Sequence, residues 1–220
     1  MGLYNKKGLY TGYDKNNKQR DALDYYSTPT EEVENILNTM KLPLNNTNVL
    51  EPCCGGGHMV EGIQNYGKSN FLNINIIATD VQKRSENLSF KTGLEYDFLK
   101  EEYPYSKDID YVIMNPPYAT IEPFTIKALE IAGKGVLLLG RLQFLEGEKR
   151  FNKIFKDYPP NKVYVYVDRI VCYKNGDVNK KMASAQAYAW FYFDIEALSK
   201  GIKDTRVYWI RRTDKKKDDF

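Results

Sequence analysis

The sequence predicts an α/β fold, in which a mostly parallel β-sheet carries helices on both faces. Short apolar runs alternate with amphipathic segments along the chain, which is the pattern of repeated strand–helix units. The runs at 109–114 and 136–140 are apolar almost throughout, as is typical of parallel strands that are buried on both sides. Glycine-rich or polar segments directly follow several runs, at the sheet edge where open α/β folds bind ligands.

Composition narrows the possible functions. A chain of 220 residues is long enough for one domain with a substantial core, and the net charge of +3 permits a nucleic-acid partner without requiring one. His58 is the only histidine, which excludes a His-rich metal site, and three cysteines do not make a disulfide framework. No apolar run has the length of a membrane span or the form of a signal core. We therefore expect a cytoplasmic protein with no metal and no membrane association.

The chain divides into a basic and aromatic arm at 1–23, a single domain at 24–212 and a charged tail at 213–220. The arm interleaves lysines and an arginine with three tyrosines, which suits either a nucleic-acid contact or a solvated terminus. Beyond it, Val33, Ile36, Leu37 and Met40 have the spacing of one helical face, and Thr28 or Thr30 is expected to cap that helix.

A first strand at 48–50 runs into a glycine-rich turn, and a helix is predicted from 58 to 66. Glycines allow the backbone to turn tightly and to approach a ligand closely. This strand–turn–helix order is typical of a nucleotide-binding crossover. A dinucleotide fingerprint would require a further glycine at Val60, so the pattern disfavours nicotinamide or flavin.

Acidic residues follow the next two strands. The strand at 73–80 ends at Asp80, where a carboxylate can accept hydrogen bonds from ribose hydroxyls or serve as a turn residue. A short helix is predicted at 84–89. A weaker third strand within 90–99 leads to Asp97 and Phe98, a carboxylate and a ring that suit the amine and the face of an adenine.

The fourth strand, at 109–114, leads directly into Asn115-Pro116-Pro117-Tyr118. Two prolines end the strand ladder and stiffen the turn, so an amide and a phenol are presented at the carboxyl end of the strand. We call this segment the tetrapeptide.

The rest of the chain predicts a helix at 121–132 and a fifth strand at 136–140. Residues 141–150 either line the mouth of a substrate site or form an ordinary loop. A helix ending at 158, a sixth strand at 162–168, a hairpin loop at 173–182 and a seventh strand at 185–193 follow, and 207–210 is the last strand candidate.

In this order the motifs resemble those of the S-adenosylmethionine-dependent DNA adenine-N6 methyltransferases, over residues 24–193. The matching parts are Tyr26-Ser27-Thr28-Pro29, Glu51-Pro52-Cys53-Cys54-Gly55-Gly56-Gly57, Asp80 and the tetrapeptide, with Asp97-Phe98 as a softer match. The resemblance implies a Rossmann-like class I methyltransferase fold, with a mostly parallel seven-stranded sheet and an antiparallel strand near the C-terminus. No separate target-recognition domain is evident, so only the 173–182 loop and the two tails are candidates for that role.

The resemblance also implies the roles of individual residues. The tetrapeptide would be catalytic: Asn115 and Pro116 would polarise the N6 amine of adenine in DNA, and Tyr118 would stack on the base. The residues expected to bind S-adenosylmethionine are Tyr26, Thr28, Pro29, Glu51, Pro52, Cys53, Gly55, Gly57, Asp80, Val81, Asp97 and Phe98. Cys53 and Cys54 lie within the cofactor loop and are expected to pack rather than to act as nucleophiles.

Two alternatives remain at this point. The same chemistry suits adenine in RNA or a glutamine side-chain amide in a protein, because that amide is also planar and conjugated. The second alternative is a cofactor-binding module without turnover, which the intact Asn115 and Tyr118 disfavour.

Overall fold

The computed structural model describes residues 26–82, 93–100, 108–174 and 186–214. The strands in this part of the chain are β1 (Tyr26–Ser27), β2 (Thr47–Glu51), β3 (Ile74–Asp80), β4 (Gly93–Glu95), β5 (Tyr111–Met114), β6 (Gly135–Arg141), β7 (Lys162–Tyr166), β8 (Tyr173–Lys174), β9 (Tyr188–Asp194) and β10 (Arg206–Ile210). The α-helices are α1 (Thr30–Met40), α2 (His58–Ser69), α3 (Ile121–Ile131), α4 (Glu148–Arg150) and α5 (Ile195–Ser199).

Eight of the strands form one sheet in the order β10-β7-β9-β6-β5-β2-β3-β4. Every neighbouring pair is parallel except those that involve β9, which runs antiparallel to both β6 and β7. The predicted fold class is therefore confirmed, with β9 as the antiparallel strand. The eighth strand is β10, which the sequence offers as its last strand candidate.

A second, two-stranded sheet pairs β1 with β8, so that Tyr26 lies opposite Lys174 and Ser27 opposite Tyr173. The sequence does not predict this pairing, because residues 173–182 have the composition of a hairpin loop. Its consequence is that the segment before α1 is held beside the carboxyl edge of the large sheet.

The large sheet separates two apolar cores. Successive strand residues point to opposite faces, so Ile113 and Leu137 pack with α1 and α2 on one face, while Val112 and Val136 pack with α3 and α5 on the other. Helices on both faces explain why the central strands are apolar at nearly every position.

The observed helix boundaries lie close to the predicted ones, but the predicted helix caps do not match the observed contacts. The residue at the start of α1 is Pro29, without a side-chain cap. The Thr28 hydroxyl instead accepts a hydrogen bond from Asn115, and the Thr30 hydroxyl donates to Glu61. The capping predicted for the two threonines is therefore wrong, because both hydroxyls make contacts between elements. The helix predicted to end at 158 is α4 continued by a π-helical turn at Phe151–Phe155.

The end of the described chain is tied to α1. The buried Glu32 carboxylate accepts hydrogen bonds from the Thr213 N–H and from Asn35, whose amide also donates to the Arg211 carbonyl. Thr213 therefore belongs to the folded part of the molecule, although the sequence assigned it to the tail. No helix within the described ranges is long and apolar enough to cross a membrane.

Several predictions fall outside the described residues. These are the arm at 1–23, the short helix at 84–89, most of the 173–182 loop and the tail beyond 214.

Gly62 sets the distance between α1 and α2. A Cβ atom at this position would lie 2.5 Å from Cβ of Val33 and 2.8 Å from the carbonyl oxygen of Thr30. Gly62→Ala should therefore push the two helices apart and lower the free energy of unfolding by about 1–3 kcal/mol. Gly133→Ala is a matched control, since its Cβ would come no closer than 3.4 Å to any neighbouring atom. Urea titrations would measure both variants, and equal stabilities would contradict the packing argument.

Candidate active site

The carboxyl ends of the central parallel strands bring most of the predicted residues to one edge of the sheet. Glu51 ends β2, Asp80 ends β3, the tetrapeptide follows β5 and Arg141 ends β6. Two groups form along this edge. One is the glycine turn with Asp80, and the other is the tetrapeptide with β1 and Thr28.

The glycine turn after β2 is shaped by its backbone. Gly55 and Gly57 have φ angles of 50° and 83°, which favour glycine, and the Gly57 N–H donates to the Cys54 carbonyl at 2.7 Å. Asp80 binds this turn directly, since its Oδ2 accepts from the Gly55 N–H at 2.8 Å while Oδ1 accepts from the Gln82 N–H at 2.9 Å. The two motifs that the sequence placed 25 residues apart therefore form one cradle.

Glu51 lies beneath the turn and is 1% exposed. Its Oε1 accepts from the Cys53 N–H at 3.0 Å and from the Cys53 thiol at 3.3 Å. Burial, with a smaller contribution from the charge of nearby Asp80, raises the pKa of Glu51 to about 8 against the opposing effect of these hydrogen bonds. Burial likewise raises the pKa of the Cys53 and Cys54 thiols, which disfavours a thiolate nucleophile.

Asp97 and Phe98 occupy different environments. Asp97 is half-buried, and its Oδ1 accepts from the Leu99 N–H at 3.0 Å. The Phe98 ring is 1% exposed and packs against Phe124 with the ring centroids 5.2 Å apart. Its ring is therefore covered by protein, and the structure contradicts a stacking role on adenine. Val81, directly after Asp80, is 48% exposed and offers the free apolar surface that Phe98 lacks.

Asn115 is held in one orientation by β1 and Thr28. Its Nδ2 donates to the Tyr26 carbonyl at 2.9 Å and to the Thr28 hydroxyl at 3.1 Å. A carbonyl oxygen can only accept, so the amide nitrogen must face it, which fixes which side of the amide carries the oxygen. Oδ1 accepts no hydrogen bond from the residues that the structure describes.

The two prolines place a second acceptor beside that oxygen in the chain. The Pro117 carbonyl accepts from the Thr120 N–H at 2.9 Å and so closes the turn into the 3₁₀ segment at Tyr118–Thr120. The Pro116 carbonyl accepts no hydrogen bond within the described ranges. Asn115 and Pro116 thus offer two unused acceptors on consecutive residues.

Tyr118 lies in an aromatic cluster. Its ring stacks on Tyr26 at a centroid distance of 5.6 Å, and its hydroxyl lies 3.1 Å from that of Tyr188. The guanidinium carbon of Arg141 lies over the ring at 4.3 Å from the centroid. Burial raises the pKa of Tyr118 far above its usual range, so the phenol stays protonated. Cys172 also contacts this hydroxyl, and burial raises its pKa to about 12.

The sequence does not identify Tyr188 or Cys172 as site residues. It marks Arg141 only as the first residue of the 141–150 segment, for which two interpretations are open. Tyr188 lies opposite Arg141 in the antiparallel β6–β9 register. No local motif marks this pairing, because it depends on the alignment of two strands about fifty residues apart. A search of the described residues finds no group of three or more His, Cys, Asp or Glu side chains that could hold a metal ion.

The cradle fits a nucleoside cofactor. It combines a carboxylate for hydroxyl groups at Asp80, an exposed apolar side chain at Val81 and a turn whose glycines leave room for a ligand. A cationic ligand near the buried Glu51 carboxyl would favour its ionised form and so lower its raised pKa. Glu51 would therefore interact favourably with a ligand that carries a positive charge.

Solved structures of other proteins superpose on this chain and share its fold. A type I restriction-modification system methyltransferase subunit from Streptococcus thermophilus superposes with a TM-score of 0.59 at 12% identity, over 84% of this chain and 47% of that protein. A protein from Pyrococcus horikoshii assigned as an RNA methyltransferase gives 0.55 at 21% identity, over 78% of this chain and 87% of that one.

Magnesium protoporphyrin IX methyltransferase from Synechocystis PCC 6803, crystallised with bound S-adenosylmethionine, gives a TM-score of 0.50 at 11% identity, over 75% of this chain and 78% of that one. The chain has the class I methyltransferase fold. It spans about half the length of the restriction-modification proteins that it matches. The share is 47% for the Streptococcus thermophilus subunit and 50% for a second modification subunit. No family model matches the sequence, and no curated protein matches it.

Glu51 should make stability fall as pH rises. Its pKa is about 8 in the folded protein but close to its ordinary 4.5 when unfolded, so the folded state holds more protons between these values. Stability therefore decreases from about pH 5 to pH 8. Glu51→Gln keeps an acceptor for the Cys53 N–H without the charge, and its thermal midpoint should fall less over this range than that of the wild type. Parallel slopes in calorimetric scans from pH 5 to 9 would contradict a raised Glu51 pKa.

Proposed function

We propose that this protein transfers a methyl group from S-adenosylmethionine to the N6 amine of adenine in DNA. The observation that carries the proposal is the state of Asn115. Its amide nitrogen is held by the Tyr26 carbonyl and the Thr28 hydroxyl, while its oxygen and the neighbouring Pro116 carbonyl accept no hydrogen bond from the described residues. Two unused acceptors on consecutive residues suit a group with two hydrogens to donate, such as an exocyclic amine.

The glycine turn, Asp80 and Val81 would hold the cofactor. Asp80 would accept from the ribose hydroxyls, Val81 would pack on the adenine ring, and Gly55 and Gly57 would allow close approach of the backbone. Tyr26 and Thr28 would face the methionine end, because both accept hydrogen bonds from Asn115 of the tetrapeptide, and Pro29 follows Thr28 directly. When bound, S-adenosylmethionine supplies an electrophilic methyl group on a positively charged sulfur.

The two acceptors address the weakness of the nucleophile. The lone pair of an adenine amine is delocalised into the ring, which makes the nitrogen planar and poorly nucleophilic. Hydrogen bonds from both amine hydrogens, to Oδ1 of Asn115 and to the Pro116 carbonyl, favour a pyramidal nitrogen and increase its electron density. Because these acceptors are already positioned, the gain comes from orientation and fixed dipoles. No strong base is required, since the nitrogen becomes acidic once methylated and releases its extra proton to the solvent.

Tyr118 would support the target base by stacking, which contributes about 1–3 kcal/mol per base in single-stranded nucleic acids. A base within a duplex must first leave the helix, at a cost of a few kcal/mol. The raised pKa of Tyr118 is consistent with this role, because a protonated phenol adds no negative charge beside a developing dipole.

DNA is favoured among the possible substrates by the resemblance of the motifs and by the restriction-modification subunits among the solved structures of this fold. A decisive test offers the purified protein labelled S-adenosylmethionine with unmethylated double-stranded DNA, single-stranded DNA, RNA and a glutamine-containing protein extract in parallel. Digestion and mass spectrometry should identify N6-methyladenine in DNA. Label found only in RNA or in protein would reject DNA as the substrate, and label found nowhere would reject the catalytic role.

Removal of the Asn115 acceptor should abolish turnover. Asn115→Ala is expected to lower kcat by at least about 100-fold, comparable to the loss of one preorganised group that stabilises a transition state. Cofactor affinity should change little, because Asn115 lies on the substrate side. Asn38→Ala removes an exposed amide on α1 and should leave both quantities unchanged. Undiminished turnover by Asn115→Ala would overturn the mechanism.

Asp80 should control cofactor affinity. Asp80→Asn is expected to raise the dissociation constant of S-adenosylmethionine by about tenfold or more, because hydrogen bonds to a charged group contribute about 1.5–3 kcal/mol. The control is Asp110→Asn, a carboxylate that also accepts a backbone N–H, from Asn48, but before β5 at the opposite edge of the sheet. Isothermal titration calorimetry would compare the two, and equal dissociation constants would reject the ribose role.

A further inference from the structure

Arg141 covers the surface on which the proposed target base would stack. Its guanidinium carbon lies over the Tyr118 ring at 4.3 Å from the centroid. Guanidinium groups are planar and stack on aromatic faces much as bases do. A base cannot use this part of the ring until the guanidinium moves away.

The position of Arg141 follows from the sheet. Arg141 ends β6, the strand beside β5, and lies three residues beyond Leu138, which pairs with Met114 directly before the tetrapeptide. Across the other edge of β6, Arg141 lies opposite Tyr188, whose hydroxyl contacts Tyr118. Rigid neighbouring strands therefore hold both the arginine and its aromatic partners at the site.

Part of the Arg141 guanidinium group has no polar partner among the described residues. Its Nε is buried and has no hydrogen-bond partner among the described residues, and no carboxylate among them forms an ion pair with it. The group instead faces the Tyr118 ring and Tyr188, whose pKa it lowers against the larger raising effect of burial. A buried N–H without a partner costs free energy, which an incoming acceptor would recover.

These observations join into one inference, which rests on the proposed function. We propose that Arg141 occupies the place of the target base in the free protein and moves to a backbone phosphate next to that base when the base enters. An arginine suits this exchange because its planar face matches an aromatic ring and its N–H groups match a phosphate. Entry of the base and binding of the phosphate are then coupled, so that adenine within a polynucleotide is favoured over an amide that carries no phosphate.

The salt dependence of methyl transfer tests this coupling. Each phosphate contact adds about 0.9 to the slope of log affinity against log salt for a duplex and about 0.7 for a single strand. Arg141→Gln should raise KM for unmethylated DNA by about tenfold, the loss of one charge-assisted contact, and reduce the slope of log KM by about one. Arg141→Lys, which keeps the charge, should keep the wild-type slope.

The control is Arg206→Gln, which makes the same charge change at the amino end of β10, at the opposite edge of the sheet. Its slope and KM should equal those of the wild type. Cofactor affinity reports folding for every variant, and Arg141→Met, which keeps an unbranched apolar stem, replaces Arg141→Gln if that protein does not fold.

The outcomes are separable. An arginine that only supports Tyr118 would lower kcat and thermal stability without changing the salt slope, so an unchanged slope for Arg141→Gln overturns the phosphate role while leaving the methyltransferase proposal intact. An equal reduction for Arg206→Gln would attribute the effect to overall charge and would also overturn it. Wild-type protein that methylates only a protein amide would refute the proposed DNA substrate and this inference together, before any variant is made.

Discussion

The geometry of the candidate site depends on the two hydrogen bonds that the Asn115 amide donates. They join the end of β5 to residues 26 and 28, almost ninety positions earlier in the chain. Because one acceptor is a backbone carbonyl, the contact does not depend on which side chain stands at Tyr26. The same two bonds fix the amide, align the segment that precedes α1 and leave the Asn115 oxygen without a hydrogen bond from the described residues. An aspartate at 115 would face the carbonyl with a lone pair, so the scaffold requires an amide there.

The other half of the site is organised by acidic groups in unequal environments. Asp80 is 8% exposed and is bound by two backbone N–H groups, whereas Glu51 is 1% exposed and has a raised pKa. The two carboxyls interact unfavourably with each other when both are charged. A positive charge near Glu51 would therefore lower its pKa and ionise it. The free protein thus has an electrostatic preference for a cationic ligand at this place.

Much of this arrangement could be predicted from the sequence, and the reasons are local. Strands buried on both faces show continuous apolar runs, and glycines or prolines mark where they end, so the order of elements and the residues at the carboxyl edge follow directly. The glycine turn and the tetrapeptide are each a single short segment. Asp80 could be placed because it directly ends a strand.

The parts that could not be predicted depend on contacts between distant segments. Phe98 was expected at a ligand because a ring after an acidic residue suits adenine, but whether that ring turns inward depends on Phe124 from α3. Thr28 and Thr30 have the composition of helix caps, and only the assembled fold shows that their hydroxyls contact other elements. The position of Arg141 over Tyr118 depends on side-chain direction at the end of a strand, which periodicity does not specify.

The small β1–β8 sheet has a consequence for how such a protein can diversify. It anchors β1, which follows the arm at 1–23, and β8, which opens the 173–182 loop, and the sequence offers both the arm and the loop for substrate contact. Both segments join the fold at one place beside the tetrapeptide and outside the large sheet. Changes in loop length add little entropic cost, so evolution can exchange these segments without altering either core. The architecture thereby separates the candidate site, which several strands hold in place, from segments whose length and sequence can change without disturbing it.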